Sequence, residues 1–400
     1  MSFETNPGVE YSSVVEIKKN QYIVEILREI YDSGAMTIAQ LAKKLHTSVP
    51  SITVFINELV ENKWIKEAGA SKTKSGRRPS LFDINPEKNL IVVIDINIHE
   101  TNFYLINLRN EIKKQETITI NINSEDIVEA IKYSAKTFIG DKNVWSIGIS
   151  SPGLLSIEKG INYTYPLHNQ NELSLAGILS KELNLPTFIT HDTQASMLGE
   201  HHFGLAKNKK NVLFINLDWG IGLGILSNGF IIKGASGFAG ELGHIQINPQ
   251  GELCHCGKKG CLETEASASA LIKKAKQGLE NGKTSTLALK KDAIRLEDVI
   301  DAALKGDEFS IDLIFDIGRE LGKGLSMAIH MFNPETIIID GIMTKAGDLI
   351  VSTLSQAINK YCLVDFKKDL EILVSPMGEK AKIYGTKSFV FEKMLSLNLL

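Results

Sequence analysis

The apolar pattern of the chain changes its period near residue 87, and that change constrains the architecture more than any other feature. Upstream the period is helical. Ile17, Val24, Leu27 and Tyr31 mark one apolar face, and Asp32-Ser33-Gly34 ends it; residues three and four apart share a helix face. Thr37 and Gln40 form a capping box at the head of a second helix carrying Leu41, Ala42 and Leu45. In such a box each side chain satisfies a backbone N–H that the helix start leaves unpaired. Thr47-Ser48-Val49-Pro50 opens a third helix with Ile52, Phe55, Ile56 and Leu59 inward; proline is tolerated there because the first turn has no N–H to lose. Two alternating strands follow, Trp64–Glu67 and Leu81–Ile84. Downstream, strand-length apolar runs dominate. Leu90–Ile96 and Asn211–Asp218 each lead into hairpins, which predicts two related lobes with a cleft between them.

Helix, tight turn, helix is the layout that sets the second helix into the major groove of DNA. The early polar positions of that helix, Ser48, Ser51, Thr53 and Asn57, are the expected base or phosphate contacts. Between the two strands lies a Gly-, Ser-, Lys- and Arg-rich wing carrying Lys72, Lys74, Arg77 and Arg78, with no acidic residue from Ala68 to Ser80. Cations on a loop beside a recognition helix suit phosphate contact or minor-groove insertion. The whole chain is nearly neutral, with 44 basic and 47 acidic residues, which excludes a uniformly basic nucleic-acid coat and hides this local excess. A polar N-terminus and the absence of a long apolar run point to a cytoplasmic protein without membrane insertion.

The four cysteines are distributed unevenly: Cys254, Cys256 and Cys261 fall within eight residues, and Cys362 stands apart as a core thiol. Gly257 and Gly260 let the backbone turn tightly enough for three thiolates to converge on one ion. His244, ten residues upstream, supplies the natural fourth ligand of a closed, structural Zn2+ site, with His255 directed away.

The string Gly234-Ala-Ser-Gly-Phe-Ala-Gly-Glu-Leu-Gly-His244, followed by Cys254–Glu263, resembles the ROK family of repressors, open reading frames and kinases. The likeness covers nearly the whole chain and includes the winged helix of the repressor branch. It implies an α/β chain: an N-terminal winged helix-turn-helix, then a two-lobed actin-like (ribonuclease H-like) sugar-kinase fold with a zinc knuckle. The expected divisions are 1–87 for the DNA-binding domain, 88–200 for the first lobe and 201–400 for the second, with the C-terminal helix able to return to the first. The resemblance makes Asp192, with His191 before it, the match to the kinases' base position. Glu241, His244 and Glu263 match sugar contacts, and Gly153 lies in a loop at the cleft floor. The family's glycine-rich first phosphate loop is replaced here by Asp95-Ile-Asn-Ile-His-Glu100, and the second carries Trp219. Backbone N–H groups that surround phosphates need small residues, so no ATP is expected and catalytic residues are none. The implied function is a sugar-responsive regulator, a repressor released by a sugar or sugar phosphate, acting on operator DNA as a homodimer or homotetramer. The alternative is a ROK sugar kinase with an appended DNA-binding domain. Asn162 to Leu175, including Asn171, is the loop expected to set ligand choice.

Overall fold

The computed structural model describes residues 14–71, 78–165, 167–168 and 173–397. Lys72, Lys74 and Arg77 of the wing, and Asn171 of the ligand-choice loop, lie outside the described residues. The N-terminal unit holds α1 (Val14–Ser33), β1 (Met36–Thr37), α2 (Ile38–Lys44), α3 (Val49–Glu61), β2 (Ile65–Ala70) and β3 (Ser80–Ile84), with an antiparallel sheet in the order β1-β3-β2. Its boundaries follow local chemistry. The Thr37–Gln40 capping box forms in both directions, and the Ser48 side chain accepts from the N–H of Ser51 to start α3. Gly34, at φ +81°, makes the turn out of α1.

The next sheet is built from β4 (Leu90–Ile96), β5 (Glu100–Asn107), β6 (Ile112–Thr119), β7 (Val144–Ser151) and β10 (Thr187–His191). Alongside it lie α4 (Ile127–Ile139), α5 (Leu175–Leu183) and the small ribbon β8 (Leu155–Ser156) and β9 (Ile161–Asn162). After α6 (Asp192–Phe203), the second sheet comprises β11 (Val212–Leu217), β12 (Ile221–Ser227), β13 (Phe230–Ile231), β14 (Thr336–Asp340) and β15 (Glu371–Val374). Its helices are α7 (Leu262–Ala266), α8 (Ala268–Glu280), α9 (Leu296–Leu304), α10 (Glu308–Phe332) and α11 (Asp348–Tyr361), and α12 (Glu379–Ser396) closes the chain. The two sheets run β6-β5-β4-β7-β10 and β13-β12-β11-β14-β15. In each, a three-strand antiparallel meander is extended by two parallel strands. This one plan used twice is the two-lobed organisation expected from the paired strand runs. In such sheets ligands collect beyond the carboxyl ends of the parallel strands, where Asp95, Ser151, His191 and Asp340 stand.

Local caps divide the helical stretches of this lobe. Between α9 and α10, Gly306 takes φ +91° and Asp307 caps α10 by accepting from Ser310 N–H. Between α7 and α8, Ser267 accepts from Ala270 N–H.

The long-range packing was not evident from the period of the sequence. Helix α12 returns to the first lobe, packing on β4, β7 and, most extensively, α6. The α6–α12 contact is backbone on backbone: a Cβ added at Gly385 would lie 1.7 Å from the Ala195 carbonyl oxygen, and one at Gly199 would lie 1.9 Å from that of Ala381. The N-terminal unit is not a separate bead. Ile26, Leu27, Ile30, Tyr31 and Trp64 share one buried core with Ile91, Val93, Ile106, Phe391 and Met394. Tyr31 stacks on Phe391 at 4.3 Å, Trp64 meets Trp145 at 5.2 Å, and Arg109 donates to the Ile30 and Tyr31 carbonyls. Lys387 is fully buried in this seam, with Nζ over the rings of Tyr31 and Phe203 at 4.6 and 4.7 Å. Burial holds its pKa well below the usual lysine value.

Candidate functional site

The cysteine-rich loop folds back on the short 3-10 turn Leu242–His244. His244 Nδ1 lies 3.6 Å from Cys254 Sγ, and Cys256 Sγ lies 3.6 Å from Cys261 Sγ. The ligand atoms of His244, Cys254, Cys256 and Cys261 are all within 4.8 Å of one another. Bonds of about 2.0–2.3 Å to a tetrahedral zinc ion imply ligand–ligand edges of about 3.3–3.8 Å, so the donor set fits such an ion. Burial, with neighbouring sulfurs adding to it, pushes the Cys261 thiol up to about 12, and Cys254 is raised as well; a divalent cation is what would draw these protons off.

The other ring nitrogen of His244, Nε2, faces Glu241 at 3.9 Å. His255 does not point away from this region, as the sequence led us to expect. Its Nδ1 sits 3.2 Å from Glu263 Oε1, and its ring meets that of His244 edge-on at 5.0 Å. The Glu263 carboxylate attracts it and raises its pKa. Glu263, near the start of α7, is partly buried, which disfavours its charge. His255, His244 and the Ile221 N–H outweigh that and hold its pKa low. The Ile221 N–H donates to Glu263 Oε2 at 3.2 Å. Gly220 makes room, since a Cβ there would lie 2.4 Å from the same oxygen.

Across the cleft, His191 is the N-cap of α6 and accepts from the Thr193 N–H through Nδ1 at 3.2 Å. Asp192 is the first helical residue, 3.1 Å from His191 Nδ1. Tyr165 joins them: burial raises its pKa first, and the charges of Glu263 and Asp192 add to it. Gly153, at φ +93°, leaves the space for that ring, for a Cβ would meet it at 2.9 Å. Glu263 and Asp192, from opposite lobes, therefore bear on one Tyr165 hydroxyl. Tyr165 was missed as an individual, though its loop was marked for ligand choice. The two lobes also touch at Gln194 Nε2, which donates to the Gly237 carbonyl at 2.9 Å, and at Tyr163 against Phe238. A hollow of about 450 Å3 lies elsewhere, under the linker at Lys88, Lys113 and Lys142. Lys113 is already paired there with Glu87 and Glu111.

At the N-cap and along the early turns of α3, Ser48, Ser51 and Asn57 are exposed, with Val49, Pro50 and Val54 beside them. Thr53 departs from expectation: it is half-buried and its hydroxyl donates to the Val49 carbonyl at 2.8 Å. The Ser48 and Ser51 hydroxyls pair with each other at 2.8 Å. The apolar Val49 and Val54 on this face were not foreseen, because period alone places them but does not say what faces them. Arg78 is exposed at the base of the wing. Among the described residues no helix is long and apolar enough to cross a membrane.

The ROK family model matches residues 91–393, and the MarR family model matches residues 20–67. The chain is 29% identical to the xylose repressor of Caldicellulosiruptor bescii, over 93% of this chain and 95% of that protein. It is 28% identical to the DNA-binding transcriptional dual regulator NagC of Escherichia coli K12, over 96% and 95% respectively. Among solved structures it superimposes on a ROK family transcriptional regulator, described as a homolog of the E. coli MLC protein. That match has a TM-score of 0.82 and 30% identity, covering 95% of this chain and 98% of that one. ROK sugar kinases share the fold over about 75% of this chain.

Proposed function

Since the chain belongs to the ROK family, we propose that it is a sugar-responsive transcriptional repressor: it holds operator DNA through α3 and the wing, and lets go when a sugar or sugar phosphate enters the cleft. The observation that carries this reading is helix α6. It starts at the cleft with His191 and Asp192, and ends at the N-terminal unit. There His202 Nδ1 lies 2.8 Å from Asp32 Oδ1 and the Phe203 ring meets Tyr31 edge-on. Twelve residues at 1.5 Å each make a rod of about 18 Å. Seated against α12 through glycine, α6 moves as a body or not at all.

In this reading Asp192 and Glu263 accept from sugar hydroxyls, Glu241 and the Nε2 side of His244 add polar contacts, and Gly153 with Tyr165 bounds the opposite wall. His191 holds the start of α6. Cys254, Cys256, Cys261 and Nδ1 of His244 would hold Zn2+, which, when bound, supplies rigidity to the imidazole and to the loop leading to Glu263. For the sugar to release DNA it must prefer the arrangement of α6 that splays the winged helices; equal affinity for both arrangements would shift nothing. Paired half-sites on an operator call for a homodimer at least. On DNA, Ser48, Ser51 and Asn57 offer polar contacts. Val49 and Val54 offer methyl groups of the kind that meet thymine, and Arg78 with its wing neighbours reaches phosphate.

The reading as a regulator without kinase activity rests on the bulky turns at Asp95–Glu100 and Trp219, where the His99 and Trp219 rings close on each other at 5.5 Å. Relatives named for xylose and for NagC stand at nearly equal identity, so similarity does not rank the sugars. The test is a melting-shift screen of the purified chain with xylose, glucose, N-acetylglucosamine and the 6-phosphates of the two hexoses, alongside ADP release with ATP present. One sugar raising the melting temperature with no ADP formed supports the proposal. ADP formed at turnover rates would replace it with the kinase.

A further inference from the structure

The turn between β11 and β12 holds Trp219 open to solvent, 41% exposed, while Trp64 and Trp145 pack on each other in the seam. A single exposed apolar side chain is ordinary, but this one stands beside a candidate sugar contact. The next residue, Gly220, abuts Glu263: a Cβ there would lie 2.4 Å from Glu263 Oε2. With Cα atoms about 3.8 Å apart and one further bond of about 1.5 Å, the Trp219 Cα lies within about 8 Å of that oxygen. The indole is also met from the other lobe. The His99 ring, in the turn between β4 and β5, approaches it edge-on at 5.5 Å, and the Asn121 amide nitrogen lies 3.5 Å from His99 Nδ1. Turns from opposite lobes thus come together at the end of the cleft next to Glu263.

These turns are poor surroundings for an anion. The Trp219 N–H donates to Asp218 Oδ1 at 2.9 Å, the Ile221 N–H to Glu263 Oε2 at 3.2 Å, and the Asn97 N–H to the Glu100 carbonyl at 2.9 Å. Lys382, in the first turns of α12, commits its ammonium to Asp95 Oδ1 at 2.9 Å and to Asn97 Oδ1 at 2.8 Å. A phosphate placed here would find these donors taken and the Asp218 carboxylate beside it. A neutral sugar ring suits both facts: its faces are C–H groups that an indole covers, and its rim hydroxyls donate to carboxylates and amides. We infer that Trp219 and His99 line a second sugar subsite next to Glu263, so that the effector is a neutral disaccharide or longer glycoside whose second ring stacks on Trp219. This subsite presupposes the sugar reading of the cleft and narrows its ligand to a glycoside.

The experiment is calorimetric titration of the full chain with xylose, glucose and N-acetylglucosamine, and with xylobiose, cellobiose, gentiobiose and N,N′-diacetylchitobiose. Parent, Trp219→Ala and Trp219→Phe are compared. At least one disaccharide should bind the parent roughly tenfold or more tightly than its own monosaccharide, the scale of one good aromatic contact. Trp219→Ala should bring that disaccharide to the monosaccharide's affinity and leave the monosaccharide unchanged, whereas Trp219→Phe, which keeps a ring, should retain most of the preference. Iodide quenching of the parent's fluorescence needs no variant: the disaccharide should shield the exposed indole, and the monosaccharide should not. A monosaccharide that binds as tightly as its disaccharides, a preference that survives Trp219→Ala, or an indole equally open to iodide with both ligands would overturn the subsite. Binding of none of these saccharides would remove the sugar reading itself, and the subsite with it.

Discussion

Gly385→Ala sets two physical effects against each other, and the structure decides the sign. Gly385 lies inside α12, where replacing glycine by alanine in a helix interior favours folding by about 1 kcal/mol. The new Cβ, however, would stand 1.7 Å from the Ala195 carbonyl oxygen and 2.8 Å from the Gly199 nitrogen. Ordinary contact is near 3.5 Å, so α6 and α12 would have to part by about 1.8 Å. The obstacle is backbone on a neighbouring helix and has no rotamer to escape into, which puts the cost at or above the top of the usual ~1–3 kcal/mol for overpacking. The net expectation is a loss of about 2 kcal/mol or more, roughly 4–8 °C in melting temperature for a lobe of this size. Gly278→Ala is the matched control: its Cβ would meet only the far end of the Phe309 ring, at 2.2 Å, and a side chain at the edge of the core can turn aside. Thermal melts of the two variants beside the parent are the assay. Gly385→Ala melting at or above the parent would refute the glycine seating of α6 on α12, and with it the rigid connection from cleft to winged helix.

Three further outcomes follow from single contacts. Asp307→Ala should cost about 1–2 kcal/mol, the value of a helix cap, since Asp307 accepts from Ser310 N–H and also from Thr286 N–H at 2.7 Å. Burial opposes the charge of that carboxyl, but these hydrogen bonds lower its pKa to about 2. Its stabilisation is therefore complete above the unfolded value near 4 and fades as pH falls toward 2, so the gap between parent and variant in urea melts should narrow from pH 6 to pH 3. Lys387→Met should leave the melting temperature unchanged or raised at pH 7, because burial depresses the folded pKa of Lys387. The unfolded chain then binds the proton more readily, a penalty that grows below the unfolded value of about 10.4 and vanishes toward it. A large fall on Lys387→Met would mean that the ring contacts, with the hydrogen bonds to the Leu108 carbonyl and Asn110 Oδ1, outweigh desolvation. Cys256→Ser should lower bound zinc, measured by atomic absorption after dialysis; undiminished zinc would remove Cys256 from the ligand set.

Much of this was legible in the chain. The capping box at Thr37, the Ser48 cap with proline in the first turn, and the two strand runs ending near Asp95 and Asp218 are local signals, and local chemistry reproduces them. The cysteine loop was legible for the same reason, its spacing being short enough for the backbone turn alone to bring the thiols together. What escaped was set by packing across hundreds of residues. Lys382 and Lys387 read as ordinary charged positions of a C-terminal helix, and only the return of α12 to β4, β7 and α6 buries them. His255 was expected to face away because it lies between Cys254 and Cys256, but Glu263, beyond the loop, attracts it. Thr53 looked free, yet a threonine inside a helix can donate back to the carbonyl four residues earlier.

In the proposed repressor, a sugar held at the head of α6 loosens DNA held at the other end of the molecule. The decisive measurement is operator affinity of the parent and of Asp192→Asn at fixed salt, with and without the sugar that shifts the parent's melting temperature. The sugar should weaken the parent's operator binding at least tenfold, a coupling of about 1.4 kcal/mol. Asp192→Asn should bind the operator as the parent does without sugar, and should lose that response. Equal release of both proteins by the sugar, or release of neither, would contradict it.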